Sequence, residues 1–230
     1  MKRSEVNKII RESIEFVTAR GLVLPSFAYW TPDEWRKISD NAREIVDNML
    51  GWDITDFGSG DFSHVGLVIF TFRNGNFLQK ELYPKPYAEK LLLVYDGQEL
   101  PYHFHWSKME DIINRGGGDL IIQMYNADDK EDFSDTDVSV TIDGQKVTIP
   151  AGGKVLLKPG ESITLLPRQY HRWIGVEGTG PVMLFEVSTT NDDTLDNRFH
   201  TAKGRLPDIE EDAEPEYLLF KDYKNYVNFK

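Results

Sequence analysis

The chain contains no cysteine, so disulfide bonds and thiolate ligands are excluded and any bound metal must be held by histidine and carboxylate side chains. Histidine is itself scarce, with five residues in 230. No apolar run is long enough to span a membrane, and the opening MKRSEVNKII lacks the apolar stretch and cleavage site of a signal peptide. We therefore expect a cytoplasmic protein without a membrane partner.

Basic residues are outnumbered in this chain. The 26 lysine and arginine residues stand against 38 aspartate and glutamate residues, which gives a formal net charge of −12 at pH 7. This charge repels the phosphate backbone of nucleic acids and the surface of anionic membranes. A small-molecule ligand is therefore expected, and a nucleic-acid partner is not. The length and the 40% hydrophobic content are enough for one substantial domain or two small ones.

The first fifty residues carry two helical patterns. Apolar residues at helical spacing fill residues 6–17, and Gly21 follows as a left-handed cap. A second pattern opens with TPDEW, in which Thr31 is the N-cap and Glu34 completes a capping box. Its apolar positions continue over the following turns. They predict a second, longer helix that reaches Gly51.

From residue 66 onward the pattern changes to short runs that are typical of β-strands. The turn dipeptides Asn74-Gly75 and Asp143-Gly144 interrupt two of these runs. Further runs of the same character are EKLLLVYDG, DLIIQMYN, KVLLKPGESITLLP and GTGPVMLFEVS. Many short strands without alternating helices indicate an antiparallel β-sandwich or barrel.

Two segments are rich in acidic residues. NADDKEDFSDTD covers residues 126–137, and DIEEDAEPE covers residues 208–216. Runs of like charge are usually solvated, so we expect both segments to be polar surface loops. For residues 126–137, an anion-repelling lip or a cation site is the alternative. The aromatic residues of the terminal stretch YLLFKDYKNYVNF are expected to dock on the body of the protein.

The segment ELPYHFHWSKME holds two of the five histidines one residue apart. Residues i and i+2 of a β-strand point to the same face, so His103 and His105 are expected to face the barrel interior together. Two neutral imidazoles that converge there suit a divalent cation. Glu110 follows after a short turn and is a candidate carboxylate ligand. The candidate for the fourth ligand is His171, which follows an apolar strand and Pro167.

The spacing of these residues favours metal binding over core packing, which is the usual role of an isolated buried histidine. Gly97, His103, His105, Glu110 and Gly117 stand at the positions of the first cupin motif, so the chain resembles the cupin superfamily. The resemblance implies a small jelly-roll barrel in which three histidines and one glutamate hold a metal ion. The second motif departs from the consensus, because one residue and the usual glycine are missing ahead of the third histidine.

These observations predict a mainly β protein with three parts. The cupin jelly-roll barrel is expected at residues 61–190. An N-terminal helical extension is expected at residues 1–60. A C-terminal wrap, residues 191–230, is expected to pack on the barrel.

Longer stretches make the resemblance more specific. The segments EIVDNMLGWDITDFGSGDF, YAEKLLLV, HFHWSKMEDIINRGGG, KPGESITLLPRQYH, STTNDDTLDNRF and GRLPDIEEDAEP together resemble the D-lyxose isomerase family of cupins. This similarity covers almost the whole chain. It implies an aldose–ketose isomerase that converts D-lyxose to D-xylulose, and often D-mannose to D-fructose, usually as a homodimer.

The same resemblance implies one divalent metal ion, with Mn²⁺ preferred and Co²⁺, Ni²⁺, Fe²⁺ or Zn²⁺ as alternatives. His103, His105, Glu110 and His171 stand where the ligands of the family stand. A divalent ion with open coordination positions can bind the carbonyl oxygen and the neighbouring hydroxyl oxygen of a sugar as a Lewis acid. Four protein ligands leave two positions of an octahedral ion for that purpose.

Isomerisation also needs a group that moves a proton between two carbons. Glu186 interrupts the apolar strand PVMLFEVSTT, and a desolvated carboxylate beside the metal would suit this task. Lys90 opens the run KLLLV and is the candidate electrophile or proton donor. The simpler alternatives are a solvent-facing Glu186 and a Lys90 that pairs with it or extends to the surface.

Four residues are candidates for contacts with the sugar. Asp193 and Arg205 lie in two C-terminal stretches that resemble the family and would bind hydroxyl groups, with surface ion pairing as the alternative. Trp106 and Phe185 would supply an apolar wall or ordinary packing. His200 has no motif around it and is expected to be a surface or site-lining residue.

Two other functions fit the same ligands. A cupin dioxygenase would use them to hold ferrous iron and would consume oxygen. A non-catalytic sugar-binding or storage cupin would turn over nothing. Ketose formation in the absence of oxygen separates the isomerase from both.

Overall fold

The computed structural model describes residues 1–190, 192, 195–201 and 208–229. The predicted sugar contacts Asp193 and Arg205 lie outside the described residues. Strands account for 37% and helices for 18% of the chain, which confirms the prediction of a mainly β protein. In the described part of the chain, no helix is long and apolar enough to cross a membrane.

The described strands form two antiparallel sheets that build a jelly-roll architecture. In chain order the strands are β1 (Gly51–Thr55), β2 (Leu67–Arg73), β3 (Tyr87–Val94), β4 (Glu99–Phe104), β5 (Glu110–Gly117), β6 (Leu120–Asn126), β7 (Val138–Ile142), β8 (Gln145–Ile149), β9 (Lys154–Leu157), β10 (Ser162–Leu165), β11 (Gln169–Gly175), β12 (Val182–Thr189) and β13 (Arg198–Phe199). The larger sheet has the order β1-β2-β3-β12-β5-β10-β7-β8. The smaller sheet has the order β13-β4-β11-β6-β9.

The main hydrophobic core lies between the two sheets, and a second core lies outside the larger one. Leu92 and Val94 of β3 point into the main core, whereas Leu91 and Leu93 point to the other face. Helix α1 (Arg3–Thr18) covers that other face with its apolar side. Because both faces of β3 are buried, its sequence reads as a continuous apolar run instead of an alternating one.

Of the two helices predicted in the N-terminal region, only the first forms over its expected length. Helix α1 ends as expected near Gly21, which has a φ of 78°. The predicted long second helix is wrong: the chain instead forms α2 (Pro32–Trp35), a 3₁₀ turn and α3 (Arg43–Asp47). Helix α2 ends at Trp35, and Ser39 is extended ahead of the 3₁₀ turn. Ser39, Asp40 and Asn41 are consecutive there, and these residue types favour caps and turns over helix interiors.

The capping box at Thr31 and Glu34 forms as predicted and starts α2. The large sheet already begins at Gly51, whereas the predicted helical extension runs to residue 60. The limits of the three predicted parts otherwise stay predictions.

One of the two predicted turns is confirmed and the other is not. Asp143 and Gly144 have φ values of 46° and 79° and join β7 to β8 in a tight hairpin. Asn74-Gly75 instead opens a long connection, residues 74–86, between β2 and β3. Gly75 is needed there because a Cβ atom would lie 2.0 Å from the carbonyl oxygen of Lys85. Gly75 therefore allows two backbone segments to approach closely and does not form a tight turn.

The C-terminal segment packs against the N-terminal helices, as predicted for its aromatic residues. Tyr223 opens the short helix α4 (Tyr223–Tyr226) and its ring lies 4.2 Å from that of Trp35. Arg3, which is 2% exposed, donates to both carboxylate oxygens of Asp222 at 2.9 and 3.0 Å. It also donates to both oxygens of Glu211 at 2.8 and 2.7 Å. One buried guanidinium group therefore joins the two ends of the chain.

We predict that Arg3→Ala lowers the free energy of unfolding by about 3 kcal/mol, because it leaves the buried carboxylate of Asp222 without its cation. Arg11→Ala is the matched control, since Arg11 also lies on α1 and pairs with Glu216, but both side chains are nearly half exposed. Its effect should stay below about 1 kcal/mol. Urea unfolding of both variants measures the difference, and similar losses in the two would contradict the assigned role of Arg3.

Candidate active site

The four predicted metal ligands come together at one end of the space between the two sheets. His103 lies on β4 and is paired in register with His171 on β11. His105 follows β4, and Glu110 opens β5. Each of the three imidazoles offers a nitrogen atom within 4.8 Å of the others, and all four side chains are buried. Nε2 of His171 lies 3.0 Å from Nε2 of His103.

Backbone carbonyl groups hold the three imidazole rings in one orientation. Nδ1 of His103 lies 3.0 Å from the carbonyl oxygen of Pro101, and Nδ1 of His171 lies 3.0 Å from that of Gln169. Nδ1 of His105 contacts the carbonyl oxygen of Asp196. A carbonyl oxygen can only accept, so each Nδ1 carries the proton and each Nε2 keeps its lone pair. Three lone pairs therefore converge on one point.

Glu110 completes this donor set. Its Oε1 atom lies 3.2 Å from Nε2 of His171, and its Oε2 atom lies 3.7 Å from Nε2 of His105. Oε1 is fully buried and has no hydrogen-bond partner among the described residues. A buried carboxylate oxygen and imidazole lone pairs at such distances are unfavourable unless a cation lies among them. The donor set fits a divalent metal ion.

The environment keeps these groups in the protonation states that a metal requires. Burial, together with the nearby His171 and His105, lowers the pKa of His103 well below 6.5. Burial and then the Lys108 ammonium group lower the pKa of His105 to about 3. Burial opposes the charge of Glu110, but contacts led by the Lys108 ammonium group outweigh it and hold the pKa of this carboxyl group well below 4.5. Neutral imidazoles and an ionised carboxylate are the forms that bind metals.

A second carboxylate and two lysines lie directly beside the ligands. Lys108 Nζ lies 2.6 Å from Oε2 of Glu110 and 3.0 Å from Oε1 of Glu186. Lys90 Nζ lies 3.5 Å from the same Glu186 oxygen, to which Ser188 donates a hydrogen bond of 3.0 Å. Glu186 is 4% exposed and Lys90 is 2% exposed. The structure thus places both predicted catalytic residues beside the predicted metal ligands.

The alternation of β12 explains why Glu186 is buried. Val182 and Leu184 on the same face of the strand belong to the main core, so Glu186 continues that inward row. In the sheet it stands opposite Lys90 of β3 on one side and Ile112 of β5 on the other. The strand register therefore sets the contact between the two charged residues.

These side chains line a small cavity that opens to the protein surface. Its polar lining consists of three of the four predicted ligands, the two lysines, Glu186 and Asn197, and the rest of its lining is apolar. His171 is not among the lining residues. The lining residues are Phe57, Leu67, Ile69, Lys90, Leu92, Leu100, His103, His105, Lys108, Glu110, Trp173, Glu186, Asn197 and Phe199.

Three further residues line the cavity but were not predicted from the sequence: Lys108, Asn197 and Phe199. Lys108 stands in the short turn between two predicted ligands, His105 and Glu110, and that position is the signal by which it could have been found. Asn197 and Phe199 lie in the stretch STTNDDTLDNRF, where only Asp193 was singled out. No local pattern marks them as cavity residues.

The other predicted contacts lie away from this cavity. Trp106 is 39% exposed, is not among the lining residues, and donates through Nε1 to Oε1 of Glu131 at 3.0 Å. Phe185 points to the outer face of the large sheet, where its ring stacks on Phe72 at 5.7 Å. His200 stacks on Phe133 at 3.8 Å on the far side of the small sheet. Trp106, Phe185 and His200 therefore do not line the cavity.

Comparison with known protein families matches nearly the whole chain. The family model described as D-lyxose isomerase matches residues 1–223. A D-lyxose/D-mannose isomerase of Serratia proteamaculans is 45% identical over 99% of this chain and 100% of its own length. A D-lyxose/D-mannose isomerase of Escherichia coli O157:H7 is 43% identical over 98% of this chain and 100% of its own length.

Solved structures with the same fold are also found. The L-ribose isomerase of Cellulomonas parahominis with L-ribose has a TM-score of 0.61 and 16% identity, over 91% of this chain and 98% of that one. The L-ribose isomerase of Acinetobacter sp. DL28 in complex with L-ribose has a TM-score of 0.59 and 14% identity, with the same coverage. At this identity the likeness concerns the fold, and it confirms the expected cupin architecture.

The pKa of His105 leads to a prediction for the metal-free protein. His105 is neutral in the fold down to about pH 3 but takes up a proton in the unfolded chain below about 6.5. The unfolded state therefore binds more protons in this window, and the free energy of unfolding should fall as the pH falls. His105→Asn keeps a donor for the carbonyl oxygen of Asp196 but takes up no proton.

For His105→Asn we expect a stability–pH slope that is shallower by up to one proton, about 1.4 kcal/mol per pH unit. Urea unfolding of the metal-free wild type and variant at several values between about pH 4 and pH 7 measures both slopes. Equal slopes would show that the buried imidazole is not held neutral.

Proposed function

Because the chain belongs to the D-lyxose isomerase family, we propose that it interconverts D-lyxose and D-xylulose, and also D-mannose and D-fructose, through an enediol intermediate. The general reaction, aldose–ketose isomerisation, follows from the family. The choice of sugars rests on the names of the two relatives. The proposal also assigns the reaction to one divalent ion, preferably Mn²⁺, bound by His103, His105, Glu110 and His171.

The observation that carries the proposal is the contact between the four candidate ligands and the cluster of Lys90, Lys108 and Glu186. One buried lysine, Lys108, bridges Glu110 of the ligand set and Glu186 at 2.6 and 3.0 Å. A simple binding site would not need a second buried carboxylate with two cationic neighbours. Proton transfer next to a polarised carbonyl group does need a base and nearby hydrogen-bond donors.

The donor set fits a metal, since Oε1 of Glu110 is buried without a hydrogen-bond partner among the described residues. The Nε2 atoms of His171 and His105 lie 3.2 and 3.7 Å from the two oxygens of the same carboxylate. When bound, a divalent ion would supply Lewis-acid chemistry and two positive charges, which stabilise negative charge on the sugar oxygens. The carbonyl contacts of the Nδ1 atoms orient the ligands and fix their tautomers.

In the direction from aldose to ketose, a proton leaves C2 of the sugar and a proton is later added to C1. We assign both transfers to the carboxylate of Glu186, which accepts the proton at one carbon and returns it to the next. Lys90 and Lys108 balance the charge of Glu186 and can donate hydrogen bonds to the sugar oxygens. In the same conversion a second proton passes from O2 to O1 of the sugar. The apolar side of the cavity limits the access of water.

The predicted sugar contacts, the oligomeric state and the location are also part of this proposal. Asp193 and Arg205 stay candidates for sugar hydroxyl groups. Trp106 stays a prediction as a sugar contact, although its indole nitrogen binds Glu131. A homodimer and a cytoplasmic location are proposed on the same family resemblance.

The reaction is tested with purified protein loaded with Mn²⁺ under nitrogen. We expect D-xylulose from D-lyxose and D-fructose from D-mannose, measured as ketose by chromatography, and no reaction after chelation of the metal. Oxygen consumption in air would instead favour a dioxygenase. Binding of sugar without ketose formation would favour a non-catalytic cupin.

Glu186→Gln should retain the metal and lower kcat by at least about a hundredfold, because the variant removes the base but none of the four ligands. Glu89→Gln is the matched control. Glu89 directly precedes Lys90 on β3, and its carboxylate pairs with Arg73 on the outer face of the sheet. Metal content and steady-state kinetics are measured for both variants. Turnover near that of the wild type in Glu186→Gln would move the base to another residue.

A further inference from the structure

Residues 195–201, here called the strap, run along the edge of the small sheet beside the candidate metal site. The strap includes β13, which pairs with β4 so that Arg198 stands opposite Phe104 and Phe199 stands opposite His103. Successive side chains of a strand point to opposite faces. The strap therefore has one side toward the cavity and one side toward the protein surface.

The cavity side of the strap contacts the site directly. The main-chain carbonyl oxygen of Asp196 accepts the hydrogen bond of His105 Nδ1. The side chain of Asp196, which is 6% exposed, accepts from the backbone and hydroxyl groups of Ser107 at 3.0 and 2.9 Å and from the backbone of Lys108 at 2.9 Å. One aspartate thus orients a candidate ligand and fixes the turn that carries the bridging lysine.

Phe199 adds a second contact on this side. Its ring stacks on that of His103 at 5.5 Å with an interplanar angle of 29°. Asn197 lies beside it, and both residues line the cavity. The strap therefore touches two of the three imidazoles and forms part of the cavity wall.

The outer side of the strap is held by the acidic segment of residues 126–137. Arg198 Nε lies 2.9 Å from Oε2 of Glu131, and His200 Nε2 lies 2.8 Å from Oδ1 of Asp132. The ring of His200 also stacks on Phe133 at 3.8 Å and 5°. The segment is a surface loop, as predicted, and three of its consecutive residues also bind the strap.

Glu131 is held in an unfavourable backbone conformation. Its φ is 63°, in the left-handed region that favours glycine, and its carbonyl oxygen accepts a hydrogen bond of 2.7 Å from the hydroxyl group of Tyr170. Its carboxylate contacts Arg198 with one oxygen and the indole nitrogen of Trp106 with the other. Strain of this kind persists only where the surroundings impose it, and it commonly marks functional positions.

We propose that the strap is a positioning element for the metal site, in which Asp196 orients His105 and Lys108, and that Glu131 and Asp132 lock the strap in place. Loss of a group that orients a metal ligand typically lowers metal affinity or activity by about 10- to 100-fold. The proposal rests on the metal site of the proposed function but not on the sugar. It gives the acidic segment a role at a distance from the chemistry.

Asp196→Asn tests the inner contact. The amide nitrogen of asparagine would face a backbone or hydroxyl donor that now binds a carboxylate oxygen, so at least one hydrogen bond is lost. We expect the Mn²⁺ affinity of the metal-free protein, measured by calorimetry without sugar, to fall about tenfold. We also expect kcat to fall, because Lys108 is displaced.

Glu131→Gly tests the outer contact and separates it from folding. Glycine relieves the backbone strain while the carboxylate is lost, so the unfolding midpoint of the metal-free protein should change little. Mn²⁺ affinity should nevertheless fall by about threefold or more. Glu131→Gln, which keeps one acceptor oxygen, should restore part of the affinity. Asp129→Asn is the control, since it makes the same charge change at an exposed position of the same segment.

The outcomes are distinct. A lower unfolding midpoint with unchanged Mn²⁺ affinity in Asp196→Asn or Glu131→Gly would overturn the proposal and leave the strap a purely structural element. If Asp196→Asn does not fold, the Glu131 variants decide on the same criterion. Failure of the wild type to bind Mn²⁺ would contradict the proposed function itself, whereas binding without conversion of D-lyxose would leave the positioning role intact.

Discussion

The structure depends on the joint burial of two carboxylates and two lysines. The formal charges of Glu110, Glu186, Lys90 and Lys108 cancel, and each side chain is no more than 5% exposed. Removal of one of the four would leave an uncompensated charge in the interior, which costs several kcal/mol. His103 and His105 can be buried beside them because burial lowers their pKa values and keeps both imidazoles neutral. The polar end of an otherwise apolar core is therefore one cooperative unit.

The order of strands explains how one fold assembles this unit from distant segments. In the large sheet β12 lies between β3 and β5, so Glu186 is flanked by Lys90 on one side and lies near Glu110 on the other. In the small sheet β11 lies beside β4, so His171 stands opposite His103. Because the inward residues of the two sheets meet across the core, the two rows face each other. The chemistry needs no loop of special shape to bring them together.

The sequence predicted the parts of the site that a local pattern encodes. His103, His105 and Glu110 could be found because strand alternation and fixed spacing bring them together within one segment. Lys108 was missed because its burial depends on Glu186, which lies 78 residues away and leaves no periodic signal near it. The second helix was predicted too long because its apolar spacing continues past Trp35, whereas the turn-favouring residues Ser39, Asp40 and Asn41 interrupt the helix. Local periodicity cannot show which competing contact wins.

The acidic excess of the chain has a structural use that composition does not reveal. Each of the two acidic segments binds basic groups far away in sequence: Glu131 and Asp132 bind the strap 67 and 68 residues later, and Glu211 binds Arg3 at a separation of 208 residues. Half-exposed ion pairs contribute little to stability individually. They do fix direction and register, and the stacking of His200 on Phe133 adds apolar contact. A run of like charges is interpreted as solvated because the sequence alone does not show which residues bind it. For residues 126–137 the partners lie on the strap, which contacts the candidate metal site, so surface charge and the geometry of that site are linked.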